Sequence, residues 1–332
     1  MPVKLDQRDK GFEAAFTAFL STKREVSEDV DKTVREIVAN AGGLNPAACA
    51  EDLRRGAEAL GLSVRIGVVE GDNLTAQVSE IVGPDTRDMF DGSSVLEKVQ
   101  SADRVNSLVA YTGAFPIAAA IAAGADIVIT GRAVDSAMAL GPLINEFGWG
   151  PDDFDLLAAG TLAGHLLECS AQATGGTFTD WRDVPGWAGI GMPIGECSAD
   201  GSLVITKPEG TGGLVSVGTI AEQLLYEVSD PQRYYVADVV CDFTDVKLEQ
   251  IGPDRVAVTG ARGLGRTATC KASLTYEQGW RASTLIPIIG LEAAAKAGRL
   301  GQELITRTNM LLRQSQLPPL TRTHCEVIGG EG

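Results

Sequence analysis

The apolar positions fall into short, β-branched runs, each closed by a polar, glycine-containing loop and followed by a helical stretch. VREIVANAGG ends one run in Asn-Ala-Gly-Gly, and Pro46 then sits in the first turn of an amphipathic helix. SVRIGVVEGDN is a near-continuous apolar strand that ends in Glu70-Gly71-Asp72. The unit recurs in VNSLVAYTGAFP, with a helix over 115–123, and again in ADIVITGRAVDSA, followed by a further helix. Apolar strands alternating with helices predict an α/β fold whose first half is a parallel, Rossmann-like sheet covered on both faces. Ligands of such sheets bind outside the carboxyl ends of the strands. That rule places Asn40, Gly42, Gly43, Asp72, Tyr111, Thr130, Arg132 and Asp135 along one rim.

After about residue 150 the pattern changes. PDDFDLLAAGTLAGHLLECSAQATGG reads as one long helix with Asp152 or Asp153 near its start. GMPIGECSADGSLVITK is a hairpin with Asp200-Gly201 in its turn, and a helix over 217–228 follows a GTGG loop. The rest reads as a meander of largely antiparallel strands that ends in a helix from Leu291, so the second half is α+β. The expected organisation is a variable segment over 1–33, an α/β parallel-sheet domain over 34–150 and an α+β domain over 151–332.

Composition narrows the function classes. A length of 332 residues supports about two domains. A net charge of −16 excludes a phosphate-backbone partner, because nucleic-acid binders present a basic face. Cysteines 49, 169, 197, 241, 270 and 325 include no C-x-x-C pair and read as reduced thiols of a cytoplasmic protein. The N-terminus has no uninterrupted apolar stretch of the secretory kind. The most apolar run, AFPIAAAIAAGADIVITG, is broken by Pro116, Gly124 and Asp126 and falls short of the ~20 residues a membrane span needs. The four tryptophans read as packing residues.

Three stretches carry candidate chemistry. In GHLLECSAQATGG a continuous helix puts His165, Glu168, Cys169 and Gln172 on one face. These offer an acid–base pair, a thiol nucleophile or a few metal ligands, or else they are the polar face of a packed helix. With His324 as the only other histidine, a His-rich metal centre is not expected, and no metal is assigned. In TKPEGTGGLVSVGTIAEQLLYEV the glycine-rich loop opens a helix. Its backbone N–H groups at Gly210, Thr211, Gly212 and Gly213, with Lys207 beside them, suit a phosphate or carboxylate. A tight strand-to-helix turn explains the loop equally well. In TGRAVDSA, Arg132 suits a forked contact with an oxyanion, whereas an Arg132–Asp135 ion pair would merely fix the loop.

NAGGLNPAACA, GADIVITGRAVDSAMALGPLINEFGW, LAAGTLAGHLLECSAQATGGTFTDW and TKPEGTGGLVSVGTIAEQLLYEVSDP resemble the N-terminal domain of the acyclic terpene utilisation AtuA family, from about residue 34 onward. The resemblance implies a role in citronellol and geraniol breakdown, a route through branched acyl-CoA thioesters. The implied step is of lyase or hydratase type, on a 3-hydroxy-acyl-CoA or related carboxylate. It assigns no catalytic residues. Family members begin with a glycine-rich strand of the form GxGAGFxGDR and continue past TRTHCEVIGG, so the expectation here is a chain lacking both. The functional expectation is an enzyme without a bound cofactor, with CoA entering as part of the substrate. The expected partner is a small acyl-CoA or carboxylate, with homo-oligomerisation open and neither nucleic acid nor membrane involved. The alternative is a non-catalytic binding or assembly subunit of the same pathway.

Overall fold

A computed structural model of the chain describes residues 36–329, and the segment read as 1–33 lies outside them. Contacts divide the chain into two units, residues 1–277 and 278–332. In the first unit, strands β1 (Ile37–Ala39), β2 (Ile66–Val69) and β4 (Ile127–Thr130) form a parallel sheet in the order β1-β4-β2. Central β4, IVIT, is buried along its whole length, as a strand covered on both faces must be. Helices α1 (Pro46–Ala59), α2 (Phe115–Ala122) and α3 (Ala137–Phe147) belong to this half. Asn45 caps α1 by accepting the Ala48 N–H, with Pro46 in the first turn as the sequence predicts. Gly42 cannot be replaced: a Cβ there would lie 2.5 Å from the Thr130 carbonyl oxygen and 2.5 Å from the Pro46 Cβ.

One expected strand of that sheet goes elsewhere. Strand β3 (Val105–Ala110) pairs antiparallel with β12 (Ala272–Tyr276), and its outer flank is bridged antiparallel by Asn73. The run VNSLVA carries Asn106 and Ser107, which the buried centre of a parallel sheet disfavours. In the antiparallel pair, the Ser107 hydroxyl meets that of Thr275 at 2.6 Å. β3 keeps contact with the parallel sheet's rim through the Ala110 N–H, which donates to the Asp72 carbonyl at 2.8 Å, and just beyond the strand through a parallel bridge from Thr112 to Ala133.

Helix α4 (Phe154–Glu168) runs under an antiparallel sheet of order β5-β6-β10-β9: β5 (Ile194–Cys197), β6 (Leu203–Thr206), β10 (Arg255–Thr259) and β9 (Lys247–Gly252). The β5–β6 hairpin turns through Gly201 at φ +83°, near where the sequence places it. A third small sheet has the order β11-β8-β7: β11 (Arg262–Gly263), β8 (Val240–Asp242) and β7 (Tyr234–Tyr235). One continuous core draws on both halves, from Val69, Ile117 and Val128 to Leu157, Leu166, Ile205, Ile220 and Val256. Trp149 is buried, but Trp280 is fully exposed, so not every tryptophan packs.

The expected helix bounds are corrected at two ends. α4 stops at Glu168 rather than running to the Gly-Gly pair, because Ser170 takes φ +52° and the chain turns into a short 3₁₀ segment, Ser170–Gln172. Helix α5 (Val217–Leu225) stops before Tyr226, which is extended, and Glu227 takes φ +60°. In the second unit, the expected strands over 281–290 do not form. Helix α6 (Ala293–Gln314) is followed by a tail that folds back, the Leu320 N–H donating to Asn309 Oδ1 at 2.9 Å.

Candidate functional site

Four polar loops meet at the carboxyl end of the parallel sheet. Asn40, just after β1, donates its side-chain amide to Asp135 Oδ1 at 3.1 Å. Asp72, beyond β2, is buried and accepts the Arg132 backbone N–H at 2.6 Å. A Cβ on Gly131 would lie 2.2 Å from Asp72 Oδ1, so glycine at 131 is what lets the carboxylate in. The Arg132 guanidinium donates to the Tyr111 hydroxyl at 3.0 Å and lies 4.4 Å from that ring's centre. The structure therefore brings Asn40, Asp72, Tyr111, Arg132 and Asp135 together. Arg132 does not pair with Asp135; Asn40 takes that carboxylate instead. Gly42 and Gly43 shape the loop after β1, with the Gly42 N–H donating to the Thr130 carbonyl at 3.1 Å.

The end of α4 lies against this rim. Gly164 packs directly on Ser136, the neighbour of Asp135: a Cβ on Gly164 would be 2.4 Å from the Ser136 carbonyl oxygen. One residue on, His165 is buried and both ring nitrogens are engaged, Nδ1 with Glu168 Oε1 at 3.2 Å and Nε2 with the Leu224 carbonyl at 3.2 Å. A carbonyl only accepts, so Nε2 carries a proton. The contact between Nδ1 and Glu168 then needs one more proton, held either as imidazolium beside carboxylate or as neutral imidazole beside carboxylic acid. His165 and Glu168 thus form a hydrogen-bonding pair, and Glu168 is the partner that reaches solvent. Gln223 holds this turn of the helix by donating to the His165 backbone carbonyl at 2.8 Å, and the Tyr234 ring lies tilted against the imidazole, 5.7 Å between ring centres.

Cys169 adjoins this pair in surroundings that disfavour its thiolate. Burial foremost, and then the charges of Glu168, Glu227 and Asp135, hold its pKa up, while a hydrogen bond with Gln223 pulls the other way. Gln172 leaves the expected face, since the helix ends before it. Glu227, which the sequence reading assigned to the interior of a helix, completes the acidic surroundings. It raises the pKa of its neighbour Tyr226, and it and Ser170 both hold left-handed backbone beside this cluster. Such conformations cost roughly 1–3 kcal/mol and concentrate at functional sites.

The GTGG loop is employed otherwise. Its Thr211, Gly212 and Gly213 N–H groups donate to the carbonyls of Pro208, Gly189 and Pro185, and Leu214 donates to Thr174. At the helix that follows, Ser216 and Thr219 form a reciprocal capping box and the Val217 N–H goes to Gln250 Oε1. Lys207 donates to the Thr211 carbonyl at 2.9 Å and pairs with Asp254 at 3.2 Å, its side chain nearly buried. At the expected anion cradle, Gly210–Gly213, the N–H groups of Thr211, Gly212 and Gly213 are therefore taken by backbone carbonyls, two of them from the 185–189 segment, with Lys207 as the brace.

Among the described residues no three His, Cys, Asp or Glu side chains converge as metal ligands, and no helix is long and apolar enough to cross a membrane. A separate cleft of about 230 Å³ lies at the other end of α4, between Asp155, Ala159, Asp200, Ser202 and Thr259.

Comparison with known proteins gives one whole-chain match and several short ones. Histidinol dehydrogenase of Mesorhizobium japonicum is 49% identical over 55 residues, which is 17% of this chain and 13% of that protein. The Brucella abortus protein of the same name is 66% identical over 38 residues, 11% of this chain and 9% of its own. The Agrobacterium fabrum one is 37% identical over 84 residues, 25% and 19% respectively. The chain thus spans under a fifth of each of these relatives, and no solved structure matches it. By contrast, the model of the acyclic terpene utilisation family protein AtuA matches residues 3–332, including residues 3–33 ahead of the blocks that carry the resemblance. With almost every residue inside that match, the chain belongs to the acyclic terpene utilisation family AtuA.

Proposed function

We propose that this chain is an enzyme of acyclic terpene utilisation that performs a lyase- or hydratase-type step on a branched 3-hydroxy-acyl-CoA or related carboxylate. The observation that supports this reading is the hydrogen-bonded His165–Glu168 pair, held by the Leu224 carbonyl and starting one residue after Gly164, which packs on Ser136 beside Asp135. Both reaction types need a group that moves a proton at a carbon next to a carbonyl, or delivers one to a departing hydroxyl. Glu168 fills that role, with His165 as the positioning residue that supplies or stores the proton. Arg132 orients the anionic end of the substrate.

The test is solvent exchange. Incubated in D2O with branched acyl-CoA thioesters, the protein is expected to incorporate deuterium next to the carbonyl, and to dehydrate the 3-hydroxy analogue. Glu168→Gln should lower the rate at least about a hundredfold, the usual scale for losing a positioned acid or base. Equal rates in the folded variant would remove the assignment. The alternative, a non-catalytic binding or assembly subunit of the same pathway, draws support from Phe90. It is 87% exposed on a loop that Lys98 holds through Asp88 and Asp91.

A further inference from the structure

The Tyr111 ring carries two cations. Besides the Arg132 guanidinium at 4.4 Å, the Lys271 ammonium lies 4.9 Å from the ring centre. Strand pairing fixes this arrangement: Lys271 immediately precedes β12, its carbonyl accepts the Tyr111 N–H at 2.9 Å, and the next register pair is Ala272 with Ala110. Neither cation has a carboxylate within ion-pair distance among the described residues. Other cations of the chain do meet a carboxylate, as in Arg65–Asp126, Lys207–Asp254, Arg255–Glu196 and Arg266–Asp152, whereas these two converge on one ring. Of the carboxylates at this rim, Asp72 is buried and takes the Arg132 backbone N–H, and Asp135 takes the Asn40 amide.

Like charges held on one ring repel, and the ring quadrupole offsets only part of that repulsion. A bound oxyanion offsets the rest. The Tyr111 hydroxyl already accepts from Arg132, which leaves its own hydrogen to donate outward. We infer that Arg132, Tyr111 and Lys271 form an oxyanion-binding site at the carboxyl end of the parallel sheet. Its ligand is a carboxylate or a phosphate, and Lys271 is its unassigned member. The inference deepens the proposed function, since it names what holds the substrate's charged end, but it stands on different atoms from the His165–Glu168 pair.

Isothermal titration of the full chain with inorganic phosphate, and separately with 3-methylbutyrate, tests it. Saturable binding is expected, weaker at higher salt because the contacts are charge-assisted. Lys271→Gln and Arg132→Gln should each weaken it about tenfold or more, and Lys271→Arg should restore much of the loss. Lys271 is exposed, so its replacement leaves the core untouched. A preference for phosphate identifies the phosphates of a carrier thioester as the ligand, and a preference for 3-methylbutyrate identifies an acid substrate. No saturable binding of either anion, or affinities unchanged in both Gln variants, overturns the inference. Glu168→Gln should bind the anion normally, so the site and the proton-transfer assignment fail separately.

Discussion

Nε2 of His165 lies 3.2 Å from the carbonyl oxygen of Leu224, and this contact fixes which ring nitrogen always carries hydrogen. Nδ1 is then the ring nitrogen that faces a titratable partner, Glu168. In Glu168→Gln, nothing ionisable remains on that side, and the amide of the new side chain can donate to Nδ1. The expected outcome is a neutral ring protonated at Nε2, read from long-range ¹H–¹⁵N spectra of labelled protein. The parent should show a shared or doubly protonated ring. A ring protonated at Nδ1 alone in the parent protein would contradict the geometry.

Gly164 sets how closely α4 approaches the rim. A methyl group there would meet the Ser136 carbonyl oxygen at 2.4 Å and its Cα at 2.6 Å, both backbone atoms that cannot swing aside. Gly164→Ala should destabilise the fold by ~1–3 kcal/mol through overpacking, offset in part by alanine's better helix propensity. It should also push His165 and Glu168 away from Asp135. Thermal unfolding and proton-exchange rate should fall together. A variant as stable and as active as the parent would mean that the helix can shift without moving the site.

The state of Cys169 is open to a chemical test. Burial and the carboxylates around it hold the thiol protonated, whereas Cys270 is exposed. At neutral pH, peptide-resolved alkylation with iodoacetamide should label Cys270 well before Cys169, and Cys169→Ser should keep the proton-transfer activity. Faster labelling at Cys169 would show an activated thiolate and restore it as a nucleophile.

The features that sequence pattern conveys here are those set by local burial. β1, β2 and β4 are legible as short runs of apolar residues, with only central β4 buried throughout, and the loops that follow them meet where the parallel-sheet rule puts them. Asn40, Asp72, Tyr111, Arg132 and Asp135 were visible for that reason. Lys271 was not: it reaches Tyr111 only because β12 pairs with β3 across more than 160 intervening residues, and no periodicity records that partnership. The end of α4 was hidden for a different reason. Glu168-Cys169-Ser170-Ala171-Gln172 contains no proline or glycine, so the break at Ser170 is imposed by tertiary packing. Glu227 was lost in the same way, inside a stretch whose spacing reads as helix. The GTGG loop shows the opposite failure. Its glycines are plain in the sequence, but the carbonyls of Pro185, Gly189 and Thr174 that occupy its donors are not.

A final test concerns Asp238, which the proton chemistry does not use. Its two carboxylate oxygens accept the Ala114 N–H at 3.0 and 2.9 Å, at the start of α2. Gly113 leaves it room, since a Cβ there would lie 2.2 Å from Oδ1. Burial raises its pKa above the usual 3.8, and the Ala114 amide and the Arg266 charge only partly reverse that. Between the unfolded value and the raised folded one, the native state binds more protons than the unfolded state, so stability falls as pH rises. The contribution is full below the unfolded pKa and lost as pH passes the folded pKa. Asp238→Asn keeps an oxygen for the Ala114 N–H and cannot ionise. Measured by urea unfolding, the stability of the parent relative to Asp238→Asn should therefore decline from about pH 4 upward and level off once Asp238 is ionised in the fold. A difference that grows with pH would mean the carboxylate is stabilised as an anion, with the helix-start hydrogen bonds outweighing burial.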